Sequence, residues 1–192
     1  MNNLTKYSII LASGSPRRKQ LLQDLDIQFR TIVLPGIKEE YPTTLEPEEI
    51  PVFLSKLKAE AHKNLITGNE LIITADTVVI SDNQVLGKPK DAEAAREMLN
   101  QLSGKVHKVV TGVTIMSASK IVTFDATTDV EFSILTPDEI DYYISKYKPF
   151  DKAGAYGIQE WIGCIGIKNI QGSFYNVMGL PLQRLYTELK AF

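Results

Sequence analysis

Tyr7-Ser8-Ile9-Ile10-Leu11-Ala12-Ser13-Gly14-Ser15-Pro16-Arg17-Arg18-Lys19 is the stretch that sets the fold class. Tyr7 to Ala12 is a short apolar run ending in small residues, the pattern of a buried strand. Ser15 is a favoured N-cap, and Pro16 suits the first helical position, where a missing N–H costs nothing. The helix that follows runs through Leu21, Leu22 and Leu25. A turn that feeds a helix N-terminus points free N–H groups and the positive end of the helix dipole at one spot, which favours an anion. Ser13, Ser15, Arg17 and Arg18 fit the same reading, because arginine grips phosphate oxygens in a fork. An ordinary capped helix with a solvated basic turn is the alternative. The GxxxxGK[ST] spacing of a P-loop is absent.

Outward from this unit, strand and helix patterns keep alternating. Residues 27–33 alternate loosely and read as a second strand. Pro35 to Pro47, rich in proline and glutamate, reads as a loop and as the best candidate for a mobile lid. Pro51 to Ile66 reads as a helix with Phe53, Leu54, Leu57 and Ala61 on one face. Leu71 to Ile80 is β-branched and strand-like, interrupted by Ala75-Asp76. Asp91 caps a helix ending near Leu102, with Gly104 near its C′ position. Val106 to Met116 and Ile121 to Ile134 read as long strands around the turn Ser117-Ala118-Ser119-Lys120. Thr136-Pro137-Asp138-Glu139 opens another helix, glycines break up 151–171, and a last helix starts near Pro181. No repeat is present, and an α/β or α+β fold with a mixed sheet fits best.

The 192-residue, 21.4 kDa chain reads as a single domain over 1–192, long enough to bury roughly 70% of its extended surface. Apolar residues make up 44% and charged residues 23%, which excludes collagen-like, low-complexity and mostly disordered chains. Lys and Arg number 21 against 23 Asp and Glu, a net charge of −2. Such a balance gives no general attraction to nucleic acid or anionic membranes. No window approaches the ~20 apolar residues of a membrane span. Met1 to Ile10 lacks the apolar core and cleavage site of a signal peptide. The single cysteine, Cys164, lies in the apolar run Trp161 to Ile165 and reads as a buried, inert thiol. A reducing, cytoplasmic setting is the expectation.

Three groups of residues carry chemistry. Asp76, inside an apolar run, is a carboxylate whose burial is costly without a metal, a hydrogen-bond network or a cation. The carboxyl end of a buried strand is also where open α/β sheets place their ligands. A turn aspartate between two short strands is the alternative. Lys58, Lys88 and Lys152 sit in small-residue or proline contexts, with Gly87, Pro89 and Gly154 fixing the backbone around the last two. Each, taken alone, reads more readily as a solvated surface lysine, and the fixed backbone adds weight to Lys88 and Lys152. Lys38-Glu39-Glu40 places acidic groups on the candidate lid and, taken alone, reads as a solvated acidic loop. His62 reads as structural, His107 has no second metal ligand nearby, and no GxSxG turn appears. No basic–aromatic stripe marks an RNA surface. Several cations, one or two carboxylates and a helix-terminus anion site are what phosphoryl or nucleotidyl chemistry needs.

These residues resemble a known family. Ser13-Gly14-Ser15-Pro16-Arg17-Arg18, Ala75-Asp76-Thr77, Gly87-Lys88-Pro89, Asp151-Lys152-Ala153-Gly154-Ala155-Tyr156-Gly157-Ile158-Gln159 and Gly179-Leu180-Pro181 resemble, in order, the blocks of the Maf (septum-formation-like) nucleotide pyrophosphatases. The resemblance implies an elongated α/β fold, with a mixed sheet flanked by helices, two lobes and a central cleft, similar to the inosine-triphosphatase fold. It implies a nucleoside-triphosphate pyrophosphohydrolase that needs Mg²⁺ or Mn²⁺, takes a small nucleotide as its partner and allows a homodimer. Asp76 matches the proton acceptor and a metal ligand, Glu39 the loop glutamate that binds metal. Ser13, Arg18, Lys58, Lys88 and Lys152 match the phosphate-binding set. Arg17, Thr77 and Gln159 match the specificity positions of the dTTP/UTP branch. Two departures stand out: Lys38 replaces the usual Asp before the loop glutamate, and Glu160-Trp161 replaces the usual Gly after the glutamine, placing an aromatic beside the base-reading residue. The implied reaction is in-line attack of water on the α-phosphorus with pyrophosphate leaving. A nucleotide-sensing regulator of division and a terminal phosphatase are the rival readings.

Overall fold

The computed structural model describes residues 4–192, so the leader expectation rests partly on residues outside the described ones. Strands β1 (Ser8–Leu11), β2 (Arg30–Thr31), β3 (Glu70–Ser81), β4 (Gln84–Leu86), β5 (Val106–Met116), β6 (Ile121–Phe132) and β7 (Ile167–Gln171) alternate with helices α1 (Pro16–Gln23), α2 (Ile50–Ala61), α3 (Ala92–Leu102), α4 (Pro137–Tyr147), α5 (Trp161–Gly166), α6 (Phe174–Met178) and α7 (Leu182–Lys190). Hydrogen bonds order the strands β2-β1-β3-β5-β6-β7, with β4 on β3. β1 pairs parallel with β2 and β3, while β3–β4 and β6–β7 are antiparallel. This is the mixed sheet with flanking helices that the sequence pattern predicts. No described helix is long and apolar enough to cross a membrane.

The chain forms two compact units. The first comprises the residues up to Asp76, Thr111–Ala126 and Gly179–Phe192; the second comprises Thr77–Val110 and Thr127–Met178. In the first, Ile10, Ala12, Ala59, Ile72 and Met116 form one buried cluster. Beside them runs a set of buried hydroxyls. Thr74 donates to the Ser55 carbonyl at 2.7 Å, and the Ser55 and Thr114 hydroxyls lie 2.9 Å apart. These bonds let polar residues replace apolar ones in the layer between α2, β3 and β5. The second unit holds a larger core in which Leu99 and Leu102 of α3, Tyr143 and Ile144 of α4, and Val130 and Phe132 of β6 are buried together.

Local signals set most boundaries. Ser15, Asp91 and Thr136 accept backbone N–H groups as N-caps, and Thr136 with Glu139 forms a capping box. Five readings need correction. α1 ends at Gln23, so Leu25 lies past its C-cap Asp24. Only Arg30–Thr31 of residues 27–33 pair as strand, both exposed, and contact with β1 ends where the Ile32 N–H donates to the Leu11 carbonyl at 3.2 Å. The second helix ends at Ala61, followed by a single tight turn at Lys63–Leu65. Ala61 is exposed, and Ile50, Pro51, Leu54, Ser55 and Ala59 make the buried face. β6 stops at Phe132 and leaves Ile134 82% exposed. Cys164 is exposed, not buried: its apolar run is a helix whose buried side carries Ile162 and Gly166, four apart, and the thiol falls on the other side.

Candidate active site

β3 runs unbroken from Glu70 to Ser81, so Asp76 is a strand residue with 8% of its surface exposed, not a turn between two strands. What makes this burial tolerable is Lys58, carried by α2, whose ammonium donates to Asp76 Oδ1 at 2.6 Å. The same Nζ lies 2.9 Å from Glu39 Oε2 in the 35–47 segment, which has turns but neither helix nor strand. Two carboxylates thus converge on one ammonium. Beside them, Arg18 in the first turn of α1 donates from Nε to the Gly179 carbonyl and from Nη1 to the Ala75 carbonyl, both at 2.8 Å. Burial pushes the Arg18 pKa down, Asp76 and Glu39 favour its charge, and Arg17 opposes it. Ser13 is buried and accepts the Ser15 N–H at 3.3 Å, closing the turn ahead of the helix, and Ser15 in turn accepts the Arg18 N–H at 3.4 Å. Arg17 stands half-buried beside Arg18.

The donor set of Asp76 and Glu39 fits a small divalent cation. Carboxylate oxygens are the hard donors that Mg²⁺ and Mn²⁺ prefer, and Mg²⁺ typically takes one or two protein carboxylates and completes its shell with water and phosphate. Among the described residues no group of three or more His, Cys, Asp or Glu forms an all-protein cage.

Within the second unit, Lys152 is 7% exposed, and its ammonium lies 2.7 Å from Asp151 Oδ1 and 3.1 Å from Glu160 Oε1. The backbone N–H of Gly154 donates to the Gly87 carbonyl at 3.1 Å, which sets the Lys152 turn beside the Gly87-Lys88-Pro89 segment. Gly154 adopts φ +68°, and a Cβ there would meet Val79 at 3.0 Å, so this turn requires glycine. Lys88 and Gln159 are exposed, and neither makes a hydrogen bond or ion pair among the described residues. Thr77 follows Asp76 on β3 and is half-buried. The structure therefore joins Glu39, Lys58, Asp76 and the Arg18 clamp in one unit, and Lys152 with the Gly87-Lys88 segment in the other.

Both histidines are structural. His62 Nδ1 lies 2.7 Å from the Lys58 carbonyl, and its Nε2 accepts the Leu34 N–H. His107 Nε2 meets the Tyr156 hydroxyl at 2.8 Å, and burial lowers the His107 pKa to about 4, so the ring is neutral at pH 7. Sequence reasoning missed Tyr143, a fully buried tyrosine on α4 whose hydroxyl donates to Glu160 Oε2 and accepts the Gly157 N–H at 3.0 Å. The one sequence signal near it was the departure at Glu160. Trp161 packs edge-on against Tyr142 with ring centroids 4.8 Å apart.

A buried strand carboxylate held by an ammonium, next to an arginine-bearing helix N-terminus, defines a site built for phosphate chemistry on an α/β frame. The chain belongs to the Maf-like protein family, whose sequence model matches residues 8–192. It is 57% identical over 190 residues to a dTTP/UTP pyrophosphatase of Phocaeicola vulgatus, covering 99% of this chain and 98% of the relative. Proteins of the same name from Bacteroides thetaiotaomicron (54%; 99% and 98% covered) and Porphyromonas gingivalis (53%; 100% and 98% covered) are similar at full length. The Ham1 protein of Staphylococcus aureus shares the fold with a TM-score of 0.51 at 17% identity, covering 96% of this chain and 98% of that one. A HAM1 protein of Coxiella burnetii does so at 0.51 and 15%, with 97% and 100% covered.

Proposed function

We propose that this chain hydrolyses dTTP and UTP to the nucleoside monophosphate and pyrophosphate. The observation that carries the reading is Asp76: a buried carboxylate on a strand, held by Lys58 and flanked by the Arg18 clamp, in a chain more than half identical to dTTP/UTP pyrophosphatases. Asp76 accepts the proton of the water that attacks the α-phosphorus, and the α–β anhydride bond breaks as pyrophosphate leaves. A divalent metal held by Asp76 and Glu39 would supply positive charge to the phosphate oxygens. Lys58 holds Asp76 in place. Arg18, Ser13, Lys88 and Lys152 bind phosphate oxygens, whose charge grows in the transition state. Arg17, Thr77 and Gln159 set the specificity, with Gln159 reading the base. An amide pairs with one edge of a pyrimidine, and a base that leaves its donor or acceptor unmet is rejected. The family match through residues 8–192 supports a single working domain, the lone cysteine supports a reducing cytoplasmic setting, and family resemblance supports a homodimer.

Product analysis by anion-exchange chromatography tests the reaction. Purified protein given dTTP or UTP with Mg²⁺ or Mn²⁺ is expected to release monophosphate and pyrophosphate, and to stop when chelator is added. CTP, GTP and 7-methyl-GTP are expected to turn over poorly. Orthophosphate and the nucleoside diphosphate as products would show a terminal phosphatase, and tight dTTP binding without turnover would show a sensor.

Arg18 yields a separate prediction. Its planar fork serves two carbonyls from different segments, which a lysine ammonium on a flexible stem does not reproduce. Arg18→Lys leaves one of these carbonyls without its donor, a loss of about 1–3 kcal/mol. It is expected to lower kcat/KM about tenfold or more by letting Ala75-Asp76 shift, and also to lower the melting temperature. An unchanged kcat/KM would show that the clamp does not hold Asp76.

A further inference from the structure

Resting on this reading of the site, we infer that Tyr143 and Glu160 are positioning residues that hold base-reading Gln159 and phosphate-facing Lys152 as one unit. Five bonds converge on the Gly157–Glu160 turn. The Gly157 N–H donates to the Tyr143 hydroxyl at 3.0 Å, that hydroxyl donates to Glu160 Oε2, and Lys152 Nζ lies 3.1 Å from Glu160 Oε1. The Glu160 N–H closes the turn on the Gly157 carbonyl at 3.0 Å, and the Glu160 carbonyl accepts the Gly163 N–H at 2.9 Å. Glu160 is thus fixed through its backbone and both carboxylate oxygens. Ile158, one residue before Gln159, is 5% exposed. Gln159 is therefore the exposed member of a turn pinned on both sides.

Close packing makes the unit stiff. A Cβ on Gly157 would lie 2.9 Å from Glu160 Cδ and 3.0 Å from Lys152 Cε. Both side chains press against the bare face of this glycine, so a displacement of one is felt by the other. Tyr143 is anchored independently: it is fully buried on α4 and its ring stacks on Tyr147 at 5.1 Å. Burial, then the Glu160 hydrogen bond, raises the Tyr143 pKa and keeps its hydroxyl protonated as the donor. The network gives Glu160, read from sequence as a departure, a purpose: its carboxylate joins the phosphate lysine to the turn that reads the base. Trp161 is held on Tyr142 and so packs on α4.

The test compares Tyr143→Phe, Glu160→Gln and the double variant. Calorimetry in chelator, where turnover is not required, gives the ratio of Kd for dCTP to Kd for dTTP. Each single variant is expected to lower this ratio about tenfold and to weaken dTTP binding, because misplacing a recognition group by an ångström costs up to about 10². The double variant is expected to fall no further than the worse single, since the residues act through one bond. Amide exchange at Gly157 is expected to accelerate in Tyr143→Phe, which loses the acceptor. Folded variants that keep the wild-type ratio would overturn the inference even if they melt earlier, and so would a wild type that binds both nucleotides equally. Should Tyr143→Phe fail to fold, Glu160→Gln, which leaves the tyrosine in place, decides the matter. A wild type that binds dTTP selectively but releases no pyrophosphate would overturn the proposed reaction and leave the ratio to judge the positioning unit.

Discussion

Asp76→Asn is expected to fold like the parent and to lose about 10²–10⁴ in kcat. Asparagine has nearly the same shape, and its Oδ1 remains able to accept from Lys58 Nζ, which lies 2.6 Å from Asp76 Oδ1. Glu39 Oε2, 2.9 Å from the same ammonium, keeps Lys58 paired with a negative charge. β3 keeps its backbone bonds to β1, which run from Ser8↔Glu70 to Leu11↔Ile73. What the variant lacks is the basic carboxylate that takes the proton of the attacking water. The loss should therefore fall on kcat more than on KM, as it does when an interaction made in the transition state is removed. Steady-state kinetics on dTTP, with circular dichroism and a melting curve as the folding check, measure this. A well-folded Asp76→Asn with full turnover would move the proton acceptor elsewhere.

The second large effect is on folding. Gly112→Ala is expected to destabilise the chain by about 3 kcal/mol, near the upper end for overpacking, or about 6–12 °C in melting temperature for a protein of this length. A Cβ on Gly112 would lie 2.4 Å from the carbonyl carbon and oxygen of Pro51 and from the nitrogen of Val52. These are backbone atoms at the start of α2, so no side-chain rotation relieves the clash. The helix must lift from β5, and α2 also carries Lys58 and the Ser55 hydroxyl that meets Thr114. Activity should fall along with stability. Gly36 offers the contrast in space: nothing lies within 4 Å of a Cβ there, though its φ of +77° still favours glycine. A melting curve for Gly112→Ala that overlays the parent would mean that α2 has room the structure does not show.

Residue chemistry was legible where it is local. Ser15 and Pro16, Asp91, and Thr136 with Glu139 announce their helix starts, because a cap bonds within its own first turn. The mixed α/β class followed from the order of such signals. Partnerships far apart in sequence were not legible. Asp76 looked like a break in a strand because its ammonium comes from Lys58, 18 positions away. The strand at 27–33 looked longer than it is, since alternation does not tell which residues find an edge to pair with. Cys164 looked buried because a short apolar run has no period long enough to separate helix from strand. At the site, Asp76, Lys58 and Glu39 could be named one by one, but their convergence on a single Nζ depends on how α2, β3 and the 35–47 segment pack. Tyr143 gave no signal at all, since a tyrosine on an amphipathic helix is ordinary core.

Helix α4 is fixed at its start by the Thr136–Glu139 capping box and at its end by Lys148, which turns out of the helix at φ 46°. It works as a ruler. Tyr143 stands about 10 Å along the axis from Thr136 at 1.5 Å per residue, and each residue added or removed between them swings its direction by about 100°. A lineage could keep every side chain of the site and still lose the Tyr143 hydroxyl from Gly157 by shortening this helix by one position. Spacing along α4 thus sets whether the Tyr143 hydroxyl meets Gly157 and Glu160 at all, which a comparison of residue types alone would overlook.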